Sequence, residues 1–372
     1  MADRSTTWYV QSEETDSVMD NELIDRILGT IYGNCIGDAI GLLTEFMSKE
    51  EGNMWYPEEK LEYRLKEKVH SVPHQRRWKT GDWTDDSDQM ILIMRSLVDK
   101  KGKVDVVDFA NKLLNWAKKG FPELGDKGGL GIGSHTNRVL KHKSFLTNPQ
   151  QAASEVWRDS REQSAPNGAV MRTSVLGIHQ FSNINQVITN TIDICTTTHS
   201  DPRCIASCIA VTTAISMMLH GKKHRAVNGD IVHEGIIEDA YHLAKEYLPD
   251  DDDGMRRNKL HEYMNKRNLS ELKLAQPDNI GYTYKCLGAG FWALRQKDFR
   301  EALTAIVKEG GDSDTNGAVA GALLGCKVGF KNLPHTWIEG LLHKKWLDEK
   351  IKKFMKMLED QIRQQEQPVA SI

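Results

Sequence analysis

Apolar residues recur along most of this chain at helical spacing. From Asn21 onward Leu23, Ile24, Ile27, Leu28 and Ile31, then Ile36, Ile40 and Leu43, follow that period, which predicts a buried helix with Asp20 or Asn21 as its N-cap. Further helices are predicted over 88–99, 105–119, 203–219, 235–247, 285–296, 298–309, 317–329 and 336–365. Alternating strand patterns are scarce, and the helices are joined by Gly-, Pro- and Asn-rich connections. The expected class is therefore all-α.

Two of these helices carry glycine every fourth residue: Gly29, Gly33, Gly37 and Gly41 in the first, and Gly317, Gly321, Gly325 and Gly329 near the other end of the chain. Each glycine costs about 1 kcal/mol relative to alanine inside a helix, so regular spacing implies that packing or a site requires it. Each ladder makes a smooth ridge that another backbone can approach, and the two ridges are expected to meet each other or other helices near the acidic clusters. Such spacing also occurs in membrane helices. Asn34 and Asp38 interrupt the first run, however, and Arg26 and Glu45 bound it closely, so burial in a soluble core is the better account.

Residues 1–20 and 360–372 are polar and aperiodic and read as loose tails, which leaves 21–359 as one expected domain. The charged stretch 249–280 reads as a solvated insertion. A formal net charge of −3 over 372 residues offers no general basic face, so a nucleic-acid partner is not expected. The six cysteines contain no CxxC pair and read as reduced, buried thiols. No apolar stretch of signal-peptide length opens the chain, and the expected address is cytoplasmic or nuclear.

The chemistry concentrates in two acidic clusters, Thr84–Asp85–Asp86–Ser87–Asp88 and Gly310–Gly311–Asp312–Ser313–Asp314–Thr315–Asn316–Gly317, each before or at the start of an apolar helix. Oxygen-only ligands suit Mg²⁺, Mn²⁺ or Ca²⁺, and crowded carboxylates repel unless a cation lies between them. Simple capping of the helix starts is the plainer reading of either cluster. The second cluster begins like an EF-hand loop, with Asp312, Asp314, Asn316 and Gly317 at positions 1, 3, 5 and 6, but Leu323 stands where the bidentate Glu is required. The run Asp250–Asp253 fails in the same way, because Pro249 would have to supply its first ligand. His220 and His224 flank lysines, and His233–Glu234 lacks the second His of a zinc motif. Neither a GxSxG elbow nor a Walker loop is present, and Gly128–Gly133 has neither phosphate-loop nor dinucleotide spacing. Hydrolysis by a metal-bound or metal-oriented water leads the remaining possibilities.

Six ordered segments together resemble the ADP-ribosylglycohydrolase family, which includes ADP-ribosylhydrolases, dinitrogenase-reductase-activating glycohydrolase and J-type crystallins. They are GNCIGDAIGLLTEF (33–46), GDWTDDSDQM (81–90), GLGIGSHT (129–136), PNGAVMR (166–172), THSDP (198–202) and GGDSDTNGAVAGALLG (310–325). The resemblance implies a compact orthogonal multi-helix domain around a dinuclear Mg²⁺ centre, with Mn²⁺ as a substitute. By it, Thr84, Asp85, Asp86, Asp312, Asp314 and Thr315 match the metal-facing groups, and Glu45 the glutamate that closes over the metals as acid/base. Gly131, Ile132, Gly133, Ser134, Asn167 and Gly168 match loops on the diphosphate and ribose, and Met171 and His199 match the cleft lining.

One departure affects the chemistry. Nitrogenase-type members carry Asp–Ile–Gly where this chain has Gly131–Ile132–Gly133, so a carboxylate used there as a base is missing. That shifts the expectation from arginine-linked to O-linked ADP-ribose, cleaved through Glu45 by a monomeric hydrolase acting on an ADP-ribosylated protein or a small ADP-ribose conjugate. The alternatives are a non-catalytic, crystallin-like structural or ADP-ribose-binding protein, and an unrelated dinuclear-metal phosphoesterase.

Overall fold

The computed structural model describes residues 18–57, 60–68, 74–221, 223–226, 229–250 and 254–366. The outer parts of the two expected tails, 1–17 and 367–372, and residues 251–253 of the acidic run lie outside them. Fifteen α-helices follow in order among the described residues. The first five are α1 (Asn21–Gly41), α2 (Lys49–Trp55), α3 (Asp85–Asp99), α4 (Val106–Lys119) and α5 (Ser134–Leu140). The next five are α6 (Pro149–Asp159), α7 (Ile184–Thr196), α8 (Pro202–His220), α9 (His233–Lys245) and α10 (Met255–Met264). The last five are α11 (Thr283–Leu294), α12 (Phe299–Lys308), α13 (Ser313–Val328), α14 (His335–Gly340) and α15 (Lys344–Glu366). No strand occurs among the described residues; two isolated bridges pair Pro166 with Tyr282 and Arg225 with Ile231. The all-α expectation holds.

Local chemistry starts many of these helices. Asp20, Asp105, Asn148, Asn183, Asp201 and Asp298 each accept a hydrogen bond from a backbone N–H of the helix they precede, a cap worth about 1 kcal/mol.

The centre of the fold is the antiparallel contact of α1 with α13. Gly29 lies against Gly325, Gly33 against Gly321, and Gly37 against Gly317, while Gly41 meets the backbone of Ser313 and Asp314. A Cβ built on Gly37 would stand 1.9 Å from the Gly317 carbonyl oxygen, so the backbones touch where side chains would otherwise separate them. The two ladders predicted from sequence therefore face each other. Every residue from Ile27 to Gly41 and from Ser313 to Cys326 is buried. The side chains of Val319 and Leu323 on α13 close on Gly290 of α11. Helix α8 is long and apolar enough to cross a membrane by length and composition, and it lies buried among its neighbours along most of its length.

Four features differ from the sequence reading. The helix expected over 336–365 is divided into α14 and α15, with the Leu342 N–H donating to the Gly81 carbonyl at 2.9 Å between them. Helix α15 runs on to Glu366, and Ile362 packs on the core, so 360–366 is helix rather than tail. The charged stretch 249–280 contains α10 and buries Leu260, Met264, Leu269, Leu272 and Leu274, so it contributes to the core despite its composition. Both acidic clusters lie within first turns, since α3 starts at Asp85 and α13 at Ser313.

A methyl group added to the α1–α13 contact has no space to occupy. In Gly321→Ala the new Cβ would lie 2.0 Å from the Gly33 oxygen, and the alanine's helix propensity cannot offset a backbone shift. We expect a loss of at least about 2 kcal/mol in denaturant unfolding. Gly133→Ala, which meets nothing within 4 Å, should stay within about 0.5 kcal/mol of the parent.

Candidate metal centre

Asp38 stands near the end of α1, between two glycines of the ladder, and its side chain organises the start of α3. One carboxylate oxygen accepts from the Thr84 N–H at 2.9 Å, and the other from the Ser87 N–H at 2.9 Å and the Ser87 hydroxyl at 2.7 Å. Thr84 caps α3 through its hydroxyl, which accepts from the Asp86 N–H and donates to Asp86 Oδ2 at 2.9 Å. The first acidic cluster is thus fastened to α1.

The second cluster is fastened by the turn after α1. The Phe46 N–H donates to the Gly311 carbonyl at 2.7 Å, and the Gly311 N–H donates back to Met47 at 2.8 Å. Gly310 and Gly311 both adopt left-handed backbone angles, φ 71° and 72°, and backbone atoms of Met47 and Leu274 occupy the places their Cβ atoms would take. Ser313 donates to the Gly41 carbonyl at 2.8 Å and accepts from the Thr44 hydroxyl at 3.0 Å. Asp312 holds the N-cap position of α13 but makes no capping bond; its Oδ2 instead accepts from Asn167 Nδ2 at 2.8 Å. Capping alone therefore does not explain this cluster.

The two halves converge. Carboxylate oxygens of Asp38, Asp86 and Asp314, all buried, lie within 4.8 Å of one another. Asp86 Oδ1 and Asp314 Oδ1 are buried without a hydrogen-bond partner, as are both polar atoms of the Asn316 side chain. Burial pushes Asp85, Asp86 and Asp314 well above the usual carboxylate range. Mutual repulsion adds to this: Asp38, Glu45 and Asp312 act on Asp85, and Glu45, Asp312, Asp86 and Asp38 act on Asp314. The buried carboxylate oxygens of Asp86 and Asp314, with lone pairs unused, are the donor set that a hard divalent cation takes. The residues present fit such a cation.

Asp38 was missed as a site residue, and its sequence signal was plain: it is the acid inside the first glycine ladder. Asp85 and Asp312 flank the triad, each with one oxygen already engaged; Gln89 donates to Asp85 Oδ2 at 2.8 Å. Thr315 lies in the first turn of α13, 4% exposed. Glu45, 5% exposed, sits on the turn that carries Phe46, and its Oε2 lies 2.7 Å from His74 Nε2. Burial raises the Glu45 carboxyl, while the hydrogen bond and charge of His74 oppose this and Asp312 reinforces it. Arg77 donates to His74 Nδ1, which leaves Nε2 as the donor toward Glu45. His74 was not anticipated from sequence.

The loop residues gather on the same side. A Cβ on Gly131, at φ +92°, would fall 2.2 Å from Asp85 Oδ1, which places this glycine on the metal cluster. Ile132 is half-buried, and Gly133 and Ser134, at the start of α5, are exposed. Asn167 reaches Asp312, and Gly168 lies against the His199 ring, with 3.1 Å from its would-be Cβ to Nε2. Met171 is buried, as ordinary packing would have it. Just before Asn167, Pro166 pairs with Tyr282, which helps line a cavity of about 310 Å³ with Trp157, Arg203, Lys259 and Tyr284. Met255, Arg256 and Lys259 of the supposed solvated insertion take part in it.

Comparison with known proteins bears on the family and the fold. The family described as ADP-ribosylglycohydrolase matches residues 19–368. The chain is 24% identical over 327 residues to ADP-ribosylarginine hydrolase Tri1 of Serratia proteamaculans, covering 87% of this chain and 77% of that protein. It is 25% identical over 320 residues to the ADP-ribosyl-[dinitrogen reductase] glycohydrolase of Rhodospirillum rubrum, covering 85% and 90%. A solved structure described as an ADP-ribosylglycohydrolase-related protein complex has the same fold, with a TM-score of 0.61 at 23% identity, covering 90% of this chain and 99% of that one.

Burial pushes Asp38 up to about 7 against the hydrogen bonds from Ser87 and Thr84, and Asp85, Asp86 and Asp314 move the same way. A carboxyl whose folded pKa exceeds its unfolded value, about 4, adds stability that is complete below that value and is lost as the pH rises through the folded one. Chelated protein should therefore lose stability as the pH rises from about 4 through about 7. Saturating Mg²⁺ or Mn²⁺ should restore it at pH 8, by about 2.7 kcal/mol at a hundredfold excess over Kd. Urea midpoints with EDTA and with cation, at pH 5 and pH 8, check this; a cation-independent midpoint at pH 8 would count against the site. In Asp314→Asn the cation-induced gain should largely disappear.

Proposed function

The chain belongs to the ADP-ribosylglycohydrolase family, and from that premise we propose that it hydrolyses the glycosidic bond joining ADP-ribose to a modified protein side chain or a small conjugate. The observation that carries the reading is the meeting of Asp38, Asp86 and Asp314 with unpartnered buried oxygens at the junction of α1, α3 and α13. Thr84, Asp85, Asp86, Asp312, Asp314 and Thr315, with Asp38 beside them, would hold two Mg²⁺ ions, or Mn²⁺ in their place. Bound there, the cations would offset the carboxylate charge that otherwise repels an anionic ligand, and would polarise ribose hydroxyls and water.

The protein's own groups supply the proton transfers. Glu45 is a buried carboxylate oriented by a hydrogen bond from His74, so one oxygen is held and the other remains for a water or a leaving group. As a base it would take the proton of a water attacking the anomeric carbon, and as an acid it would return that proton to the departing oxygen. The cavity lined by Trp157, Tyr282 and Tyr284 also holds Lys259, Arg256 and Arg203, the last paired with Asp201, and its aromatic faces suit the nucleotide end of an extended ligand.

Gly131 supports the O-linked preference. It brings no carboxylate of its own to the loop, its would-be Cβ standing 2.2 Å from Asp85 Oδ1 on a left-handed backbone, which leaves Glu45 as the candidate base. One relative points to the other linkage, since the Serratia proteamaculans protein is called an ADP-ribosylarginine hydrolase.

Glu45→Gln should lower kcat by about 10²–10⁴ while leaving the circular dichroism spectrum unchanged. Release of ADP-ribose from Ser-linked and Arg-linked peptides and from O-acetyl-ADP-ribose, each with an EDTA control, separates the readings. Turnover of the Arg-linked peptide alone would overturn the O-linked preference, and release of phosphate or nucleotide instead of ADP-ribose would overturn glycohydrolysis.

A further inference from the structure

Arg172 is completely buried, yet its hydrogen-bonding partners are neutral. Nη1 donates to Gln89 Oε1 at 2.7 Å, and Nη2 donates to the Thr198 hydroxyl at 2.7 Å and the Ile194 carbonyl at 3.4 Å. The guanidinium also faces the Phe109 ring at 5.1 Å. Removing a cation from water without a directly paired carboxylate is costly, so its retention calls for more than packing.

A guanidinium only donates, and that property propagates in both directions. Toward the metal cluster, Gln89 must present its carbonyl oxygen to Arg172, which turns its amide N–H₂ toward Asp85 Oδ2 at 2.8 Å. With Oδ2 occupied, Asp85 Oδ1 is left facing the Gly131 loop. In the other direction, the Thr198 hydroxyl accepts from Arg172, and its one proton finds His199 Nδ1 at 2.7 Å. His199 then carries its proton on Nε2, which is buried without a partner beside Gly168. Burial, with His135 and Arg172 nearby, keeps this imidazole neutral. Gln89, Thr198 and His199 are themselves buried, so water does not compete for these bonds.

We propose that Arg172 is a positioning residue serving both halves of the site, orienting Asp85 through Gln89 and fixing His199 through Thr198 as a hydrogen-bond donor to the ADP-ribosyl group. The proposal rests on the functional reading above. It assigns Gln89 to the cation side and Thr198 to the ligand side, and that division is what a merely structural arginine would not produce.

Two near-isosteric variants cut one link each. Gln89→Leu should raise the Mn²⁺ Kd about tenfold, in line with the loss of a group that orients a metal ligand. Its ADP-ribose Kd, measured by calorimetry at saturating Mg²⁺, should stay within about twofold of the parent. Thr198→Val should do the reverse, weakening ADP-ribose about fivefold to tenfold with the Mn²⁺ Kd unchanged, and Thr198→Ser should restore binding. Arg172→Met should weaken both; should it fail to fold, the single-link variants decide. If Gln89→Leu leaves the Mn²⁺ Kd unchanged, if Thr198→Val leaves the ADP-ribose Kd unchanged, or if either variant moves both constants equally, the positioning role is wrong. If the parent protein binds neither Mn²⁺ nor ADP-ribose, the functional reading itself fails and this proposal with it.

Discussion

Backbone contact between α1 and α13 is the constraint from which the rest of the molecule follows. Glycine at three facing pairs lets the helices approach until carbonyl oxygens fill the space that side chains would take. That closeness brings Asp38, near the C-terminal end of one helix, beside Asp314 in the first turn of the other. Larger residues at the interface would separate the helix axes and the carboxylates with them. Asp38 then fixes the third element, because its hydrogen bonds to Thr84 and Ser87 set the start of α3 and hence the place of Asp86.

The acidic centre is expensive to assemble, and the fold is arranged around that cost. Carboxylates taken out of water repel one another more strongly than on a surface, and burial raises Asp38, Asp85, Asp86 and Asp314. Hydrogen bonds satisfy some oxygens and leave Asp86 Oδ1 and Asp314 Oδ1 open. Helix N-termini at α3 and α13 point their positive ends toward the cluster, which eases the repulsion without removing it. A cation held between the open oxygens would remove the remainder, so ligand geometry and charge balance are one problem here.

Much of this was legible in the chain. Helical periodicity and the absence of alternation determine the class, and the two ladders could be read residue by residue, as could the acidic clusters. The pairing of the ladders stood only as one of two possibilities, because period-four glycine specifies a smooth face without saying what lies on it. Asp38 was visible as an interruption of an apolar run, but its direction depends on where α3 docks. His74 lies in a polar stretch with no helical signal of its own, and only the turn after α1 brings it to Glu45. The stretch 249–280 misled for a definite reason: its buried leucines and Met264 are spaced among charges that face outward, so composition outweighed pattern. The loops around Gly131 and Asn167 were identifiable through family resemblance, since backbone conformation alone makes them useful.

The glycine contact joins the two ends of the described chain, from Gly29 to Gly325. The glycine face of α1 stays unmatched until α13 has been made. Contacts between residues so distant in sequence form slowly, because loop closure precedes any gain from packing. Asp38 and Asp314 therefore meet late, and a chain cut short before α13 has no centre to fill. A cation bound by these carboxylates would therefore be captured at the end of folding, because the site does not exist until α13 has docked on α1.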